Sequence, residues 1–488
     1  MADKHRDIKG NNPDYIFQGS VLAVAAIISR IIGLFYRVPL NAILGDKGAG
    51  YYGTAYDVYT LMLLISSASL PLAVSKLVSA RVAVGKIKDA YRIFLLSVVI
   101  SAVLGTIMCL ITWFGADVIA GDILKTPYAA YALRILAPTL IVVAVLGVIR
   151  GFFQGLGTMI PSAMSQVIEQ VINAVVSVAA AYILYQRGHV IGVILGDADG
   201  VAGAYGAEGG TYGTFFGAIA GLIFILFIYV LFRGSFIKKL RKDKNTGHES
   251  VFSMSRMILF TVLPVLLSTT LYNINAVVDQ AVFKNFALGQ EYSTDEIDVW
   301  WGVFTGNFKV LINVPISVSA AMAASCVPAL TRAFHQGNLD EVRFETGRGI
   351  RFIMFVAFPC TLGLFVLATP LMQLLFARNS VELAGSFMRA GVWCVPFYCL
   401  SSLTNGILQG VDKMRKPVRH ALISLVAQLI FMLILLHFFR KLRIDFSLVD
   451  HSAVIDRHLI VSNQLLLFNT VDLFLKQGQM QFAKFFYI

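Results

Sequence analysis

Arg150-Gly-Phe-Phe-Gln154-Gly155-Leu-Gly-Thr-Met159-Ile-Pro161 recurs as Asn405-Gly-Ile-Leu-Gln409-Gly410-Val-Asp-Lys-Met414-Arg-Lys-Pro417, an offset of 255 residues that becomes 256 at the proline. A second pair, Leu70-Pro71-Leu-Ala and Val327-Pro328-Ala-Leu, stands 257 residues apart. Chance likeness of Gly/Pro-rich helix ends would not hold two pairs at nearly one spacing, so the chain carries an internal duplication. The material between the copies decides what is duplicated.

That material is apolar. The 488 residues are 57% hydrophobic and only 14% charged, with a mean hydropathy of +0.74. Soluble domains run near 25% charged, so a water-soluble enzyme, a disordered chain and a secreted disulfide scaffold are all excluded. Apolar runs of about 20 residues cross a bilayer as helices. Eleven are read: 17–38, 55–75, 93–114, 131–149, 160–185, 211–232, 257–283, 302–327, 352–375, 385–408 and 418–439. The first is too long for a cleavable signal peptide and lacks a small-residue cleavage site. The repeat offset covers six spans, an even number, so the two copies run parallel about an axis along the membrane normal. The expected fold is an all-α polytopic membrane protein. It has two six-helix lobes around a central cavity, the second lacking its last helix, in the manner of alternating-access transporters. The expected divisions are an N-terminal tail (1–16), an N-lobe (17–232), a basic linker (233–256), a C-lobe (257–440) and an atypical tail (441–488).

The net charge of +12 could indicate nucleic acid, but the positions of the basic residues say otherwise. With the N-terminus in the cytoplasm, most Lys and Arg fall in inside segments, such as Lys86, Lys88 and Arg92, or Arg233 through Arg256. The outside loops keep only Lys47, Lys125, Arg187, Lys284 and Arg378. This is the positive-inside rule, and the nucleic-acid reading falls away. The alternation fails at Arg440-Lys441-Leu442-Arg443, which should lie outside. The apolar stretch 459–475 is broken by Asn463, Gln464, Asn469 and Asp472. The tail reads either as a peripheral segment or, more in keeping with its lost Gly/Pro rhythm, as the truncated or frame-shifted end of a longer membrane protein.

At the repeat the chain resembles the stage V sporulation protein B-like polysaccharide biosynthesis proteins. The residues that carry the likeness are Arg150-Gly-Phe-Phe-Gln-Gly…Met159-Ile-Pro-Ser-Ala-Met-Ser-Gln166-Val-Ile-Glu169-Gln170. Ser29-Arg30-Ile-Ile-Gly33…Tyr36-Arg37-Val-Pro39-Leu40 and Leu44-Gly45…Gly48-Ala-Gly50-Tyr-Tyr fit the family's first-helix motif. Leu70-Pro71-Leu-Ala-Val-Ser-Lys76 and Lys309…Asn313-Val-Pro315 fit the second and eighth helices. The family is close to the MurJ lipid II flippases, within the multidrug/oligosaccharidyl-lipid/polysaccharide exporter superfamily. The likeness extends over about residues 10–440. It implies a flippase for an undecaprenyl-diphosphate-linked cell-wall precursor, such as lipid II, or for a polysaccharide repeat unit, in the bacterial plasma membrane. It also implies membrane lipids and cell-wall synthesis proteins as partners, and basic first-helix residues that face the cavity.

Charges inside a membrane are costly and usually functional. Arg30 and Arg37 are seven residues apart and so share one helix face. A diphosphate suits this kind of bidentate, permanently charged donor; alternatively Arg37 snorkels to the interface. Lys309 is a headgroup ligand or pairs with a carboxylate such as Asp279. Lys76 is a headgroup contact or a positive-inside anchor, and Arg150 touches cargo or caps its helix. Asp57, Glu169 and Asp279 are coupling-ion candidates (Na+ or H+) or partners for basic neighbours. Gln166, with Glu169, Gln170 and Asn173, forms a polar stripe that lines a water path or binds helices together. A cationic multidrug exporter would want an acidic cavity, which two arginines in the first span oppose. A non-transporting envelope-assembly scaffold is the reading from another class. No Walker A sequence, nucleophile elbow or metal-ligand spacing of cysteines is present, so neither an enzyme nor a resident cofactor is expected.

Overall fold

The computed structural model describes residues 13–67, 70–242, 250–290, 292–377 and 379–410, with single positions between 423 and 434. The expected eleventh span and the tail lie largely outside the described residues. The first helix, α1 (Pro13–Ser66), departs from helical geometry at Gly45 (φ 66°, ψ −178°), a backbone state suited to glycine alone. The chain reverses there. The Arg37 guanidinium lies 5.9 Å from the Tyr56 ring centroid, whereas 19 residues of unbroken helix would separate them by about 28 Å. The arm 13–44 holds the first expected span, 17–38, whereas the second arm, 46–66, starts before the expected 55–75 and ends within it, at the turn of Ser67.

The rest of the N-lobe is α2 (Leu70–Ala83), α3 (Ile87–Asp117), α4 (Ala129–Gly155), α5 (Ile160–Leu195) and α6 (Ala198–Lys242). The C-lobe is α7 (Val251–Asn273), α8 (Asn275–Leu288), α9 (Thr294–Gly302), a π-helical segment at Val303–Phe308, α10 (Lys309–His335), α11 (Leu339–Val366), α12 (Ala368–Leu375), α13 (Val381–Gly391) and α14 (Val395–Gly410). Among the described residues, eight helical stretches are long and apolar enough to cross a membrane, one of which, Val24–Ala83, holds both arms of the α1 reversal. The chain is a multi-pass membrane protein.

Two expectations shift. Residues 186–210, expected between spans, are mostly helical. Glycines 188, 192, 209, 213 and 217 bring the α5 and α6 backbones into contact, as a Cβ at Gly209 would meet the Ala180 carbonyl at 2.5 Å. Close packing of this kind binds helices in lipid. The basic linker also starts later than expected, because α6 continues through Arg233, Lys238 and Lys239. Long basic side chains are good helix formers and complement the helix C-terminus.

At the first pair of the duplication Gly155 closes α4, and its counterpart Gly410 is the last described residue of α14. The duplication relaxes at the second pair, since Leu70 opens a new helix but Val327 lies within α10. Ser66 and Ser67 precede the first break and return their hydroxyls to the Leu63 carbonyl. Their counterparts are Ala323 and Ala324. Hydroxyls that bond local backbone compete with the helix, and alanine does not.

Two ends of the molecule serve as landmarks. The Gly45 end gathers the α1 reversal, the loop at 124–128 and α9. The Gly157 end gathers the α4–α5 turn and the start of α7. The N-lobe core has one half around Tyr36, Leu40, Tyr51 and Leu136. Its other half surrounds Leu70, Phe94 and Phe152, and is joined by Met254, Ile258 and Val262 of α7. The C-lobe core surrounds Trp301, Phe304, Phe387 and Leu403, with Leu34 and Val38 of α1 against it. The α1 helix therefore belongs to both lobes, and the seam between them runs along it.

Candidate functional site

Arg30, Arg37 and Lys309 lie along this seam. Arg30 is exposed although it sits within a span, and its Nη1 lies 3.5 Å from the Ser317 carbonyl of α10. Arg37, one turn short of the α1 reversal's last turn, is turned the other way. It is half-buried over Tyr56, whose ring packs tilted against Tyr52 and edge-on to Tyr59 and whose hydroxyl bonds Thr214. Lys309 follows the π-helical segment. Its Nζ lies 4.8 Å from the Phe304 ring centroid and 5.6 Å from that of Trp301, and 3.7 Å from Asp57 Oδ2 across the seam. The carboxylate that meets Lys309 is thus Asp57, not Asp279. Ser317 and Lys309 are eight residues apart, about 12 Å along α10. Arg30 therefore marks one level of the seam, and Arg37 with Lys309 a second level nearer the Gly45 end. Arg30 and Lys309 each reach across the seam to the opposite lobe, whereas Arg37 packs on Tyr56 within the N-lobe; each cation lies beside aromatic or carbonyl groups that orient it.

At the Gly45 end the lobes are in backbone contact. A Cβ on Gly302 would overlap the Asp46 carbonyl, and one on Gly50 would stand 2.7 Å from the Asp298 carbonyl. Polar ties cross the same surface. Asn41 donates to the Gly306 carbonyl, Gln280 to Thr54 Oγ1, and the Ser380 amide to Asp46. Lys47 and Asp295 pair at 2.8 Å. Lys284, expected in an exposed loop, is fully buried. Its Nζ lies 2.6 Å from Asp298 Oδ1 and also reaches Thr126 of the N-lobe. Nothing in the sequence marks that pair beyond the presence of both charges. Replacing one partner of a buried pair leaves the other charge unmatched, at a cost of about 3 kcal/mol or more. Lys284→Met is therefore expected to lower the unfolding temperature in detergent, and Lys284→Met with Asp298→Leu to recover most of the loss. Equal stabilities for Lys284→Met and the unaltered protein would contradict this.

The other expected site residues lie elsewhere. Arg150 Nη2 bonds Glu169 Oε2 at 2.7 Å and its Nε bonds Ser165 Oγ at 2.8 Å. This pair ties α4 to α5 within the N-lobe. Gln166 is half-buried on α5. On the same helix Gln170 approaches α1, with its Nε2 3.2 Å from where a Cβ on Gly33 would lie. Gln170 of the polar stripe is thus held against the first helix, between the levels of Arg30 and Arg37, while Glu169 faces α4 and Asn173 faces α6. Lys76 is exposed on α2 near the Gly157 end, and Asp279 is half-buried on α8. Among the described residues no group of His, Cys, Asp and Glu could hold a metal ion.

Two helical lobes, a seam that carries membrane-embedded cations, and closure at one end define a two-lobed polytopic membrane protein. Residues 18–334, more than half of the chain, match the polysaccharide biosynthesis protein family, and the chain belongs to that family. Residues 303–434 match the MatE family. The chain is 26% identical over 432 residues to the lipid II flippase MurJ of Bacillus subtilis (84% of this chain, 75% of that protein). It is 25% identical over 417 residues to stage V sporulation protein B of the same organism (85% and 76%). Its fold matches a multidrug resistance MATE family transporter of the MOP superfamily in its inward-facing conformation. That match has a TM-score of 0.69 at 16% identity, and covers 94% of this chain and 96% of that one.

Proposed function

We propose that the chain is a flippase that moves an undecaprenyl-diphosphate-linked glycan, a cell-wall precursor such as lipid II or a polysaccharide repeat unit, across the bacterial plasma membrane. The observation that supports this is the placement of Arg30 and Lys309 on the seam, with Arg37 on the same helix as Arg30, in a chain whose relatives include the lipid II flippase MurJ and stage V sporulation protein B. A diphosphate is a doubly charged, multidentate acceptor that such donors would hold. Arg30 would receive it at the first level, and Arg37 and Lys309 at the second, while the polyprenyl tail stays in lipid. The positive-inside distribution puts the N-terminus in the cytoplasm, which makes the Gly45 end the outer one. The described state is then closed outward, and alternating access exchanges that closure for one at the Gly157 end. Na+ or H+ would reset the carrier. Arg150, matched by Glu169, is left out of the cargo set.

The test uses the full chain reconstituted in liposomes that carry fluorescent lipid II. Protein-dependent transfer of lipid II between leaflets is expected. No transfer of lipid II or of any undecaprenyl-diphosphate glycan would refute the assignment.

A further inference from the structure

Asp57 does not fit a simple cationic receptor. It places a carboxylate 3.7 Å from Lys309, and its Oδ2 is buried with no hydrogen-bond partner in the described structure. Asp57 comes from the N-lobe, on the second arm of α1. Lys309 comes from the C-lobe, at the start of α10, and is walled by Trp301 and Phe304. A carboxylate in such surroundings, bonded to nothing else, is held by charge alone. The ion pair crosses the seam just below the glycine contacts that close the Gly45 end.

We propose that Asp57 is a resident counter-anion, which the diphosphate of the cargo must displace from Lys309, and that this displacement releases the lobes at the Gly45 end. The inference rests on the seam being a diphosphate site. When empty, the transporter neutralises Lys309 internally and keeps its lobes tied. An arriving diphosphate offers the ammonium more charge than one carboxylate does. It takes Lys309 over, and Asp57 is left facing a like charge across the seam. The loaded protein thus favours opening and the empty one favours closure. This is linkage: a ligand shifts an equilibrium by its differential affinity for the two states. Asp57 also sets selectivity, because a singly charged headgroup competes with it less well than a diphosphate does.

The test is made on the full chain in nanodiscs, with farnesyl diphosphate as the probe. Spin labels are placed at Asp122 and Thr294, exposed positions of the two lobes at the Gly45 end. The native cysteines are replaced. In the unaltered chain the probe should lengthen the inter-label distance. Asp57→Asn should bind the probe about fivefold more tightly, the scale of one ion pair at a partly buried site. It should also populate the longer distance without the probe. Asp57→Glu, which keeps the charge, should behave as the unaltered chain and so separates loss of charge from misfolding. If Asp57→Asn and the unaltered chain bind equally and give the same distances, the counter-anion role is overturned and the diphosphate site stands. If neither binds the probe, the diphosphate site itself is overturned, and the displacement with it.

Discussion

Arg30→Glu is expected to abolish transport while the protein still inserts and folds. The two expectations come from different facts. Arg30 is exposed, and the polar contact recorded for it is a 3.5 Å approach to the Ser317 carbonyl, so little of the fold depends on it. The cargo, on the proposed reading, depends on it at the first level of the seam. Removing a charge-assisted bond to a diphosphate costs about 1.5–3 kcal/mol, and placing a carboxylate there adds repulsion of similar size. Together these give roughly 4 kcal/mol, or about a thousandfold in the rate at limiting cargo.

The measurement is growth of a bacterial strain depleted of its own lipid II flippase and supplied with this chain, with membrane insertion followed by immunoblotting. Arg30→Lys should fall between the two, because an ammonium keeps the charge and loses the planar fork. Normal growth supported by Arg30→Glu would remove Arg30 from the cargo site. Arg37 should tolerate change less well structurally. It is half-buried against Tyr56, and its loss exposes a cluster of packed tyrosine rings as well as removing charge.

The fold was readable from the sequence to the extent that lipid imposes it. Helices must satisfy their own backbone, so runs of apolar residues report spans, and the Gly155 and Gly410 repeat reports their duplication. The first arm of α1 falls where expected, the second lies about nine residues earlier than its expected span, and the seam cations are visible as charges inside apolar runs. The partnerships were not. That Arg150 belongs to Glu169 and Lys309 to Asp57 depends on which helix faces are neighbours, and two spans set by hydropathy carry no record of their rotation. A basic residue just past a span ordinarily lies in water, so the sequence places Lys284 in a loop. Its burial follows from closure of the lobes over it, a tertiary event with no local trace. The helical course of residues 186–210 escaped for the opposite reason. Glycine there signals a loop by propensity, and the contact between α5 and α6 overrides it.

The same lobe closure supplies the second large effect. Gly302 ends α9 against the first turn of the second α1 arm, and a Cβ there would overlap the Asp46 carbonyl. A carbonyl on a helical turn cannot rotate aside as a side chain does, so Gly302→Ala must push the lobes apart. Overpacking of this kind costs about 3 kcal/mol at its upper end, a shift of about a hundredfold in the ratio of closed to open protein at the Gly45 end. The clash graded by partner gives a ranking. Gly50→Ala meets the Asp298 backbone at 2.7 Å and should come next. Gly53→Ala meets the Thr305 side chain at 2.6 Å, which can turn away, and should cost least. Gly363→Ala has no atom within 4 Å, so it should leave closure unchanged while slightly favouring its helix. Distances between labels at Asp122 and Thr294 read the closure directly. Transport assayed in the same samples should fall in the same order, because a carrier that cannot close one side cannot complete its cycle. If Gly302→Ala keeps the closed distance and full transport, the backbone contact between the lobes is not part of the transport cycle.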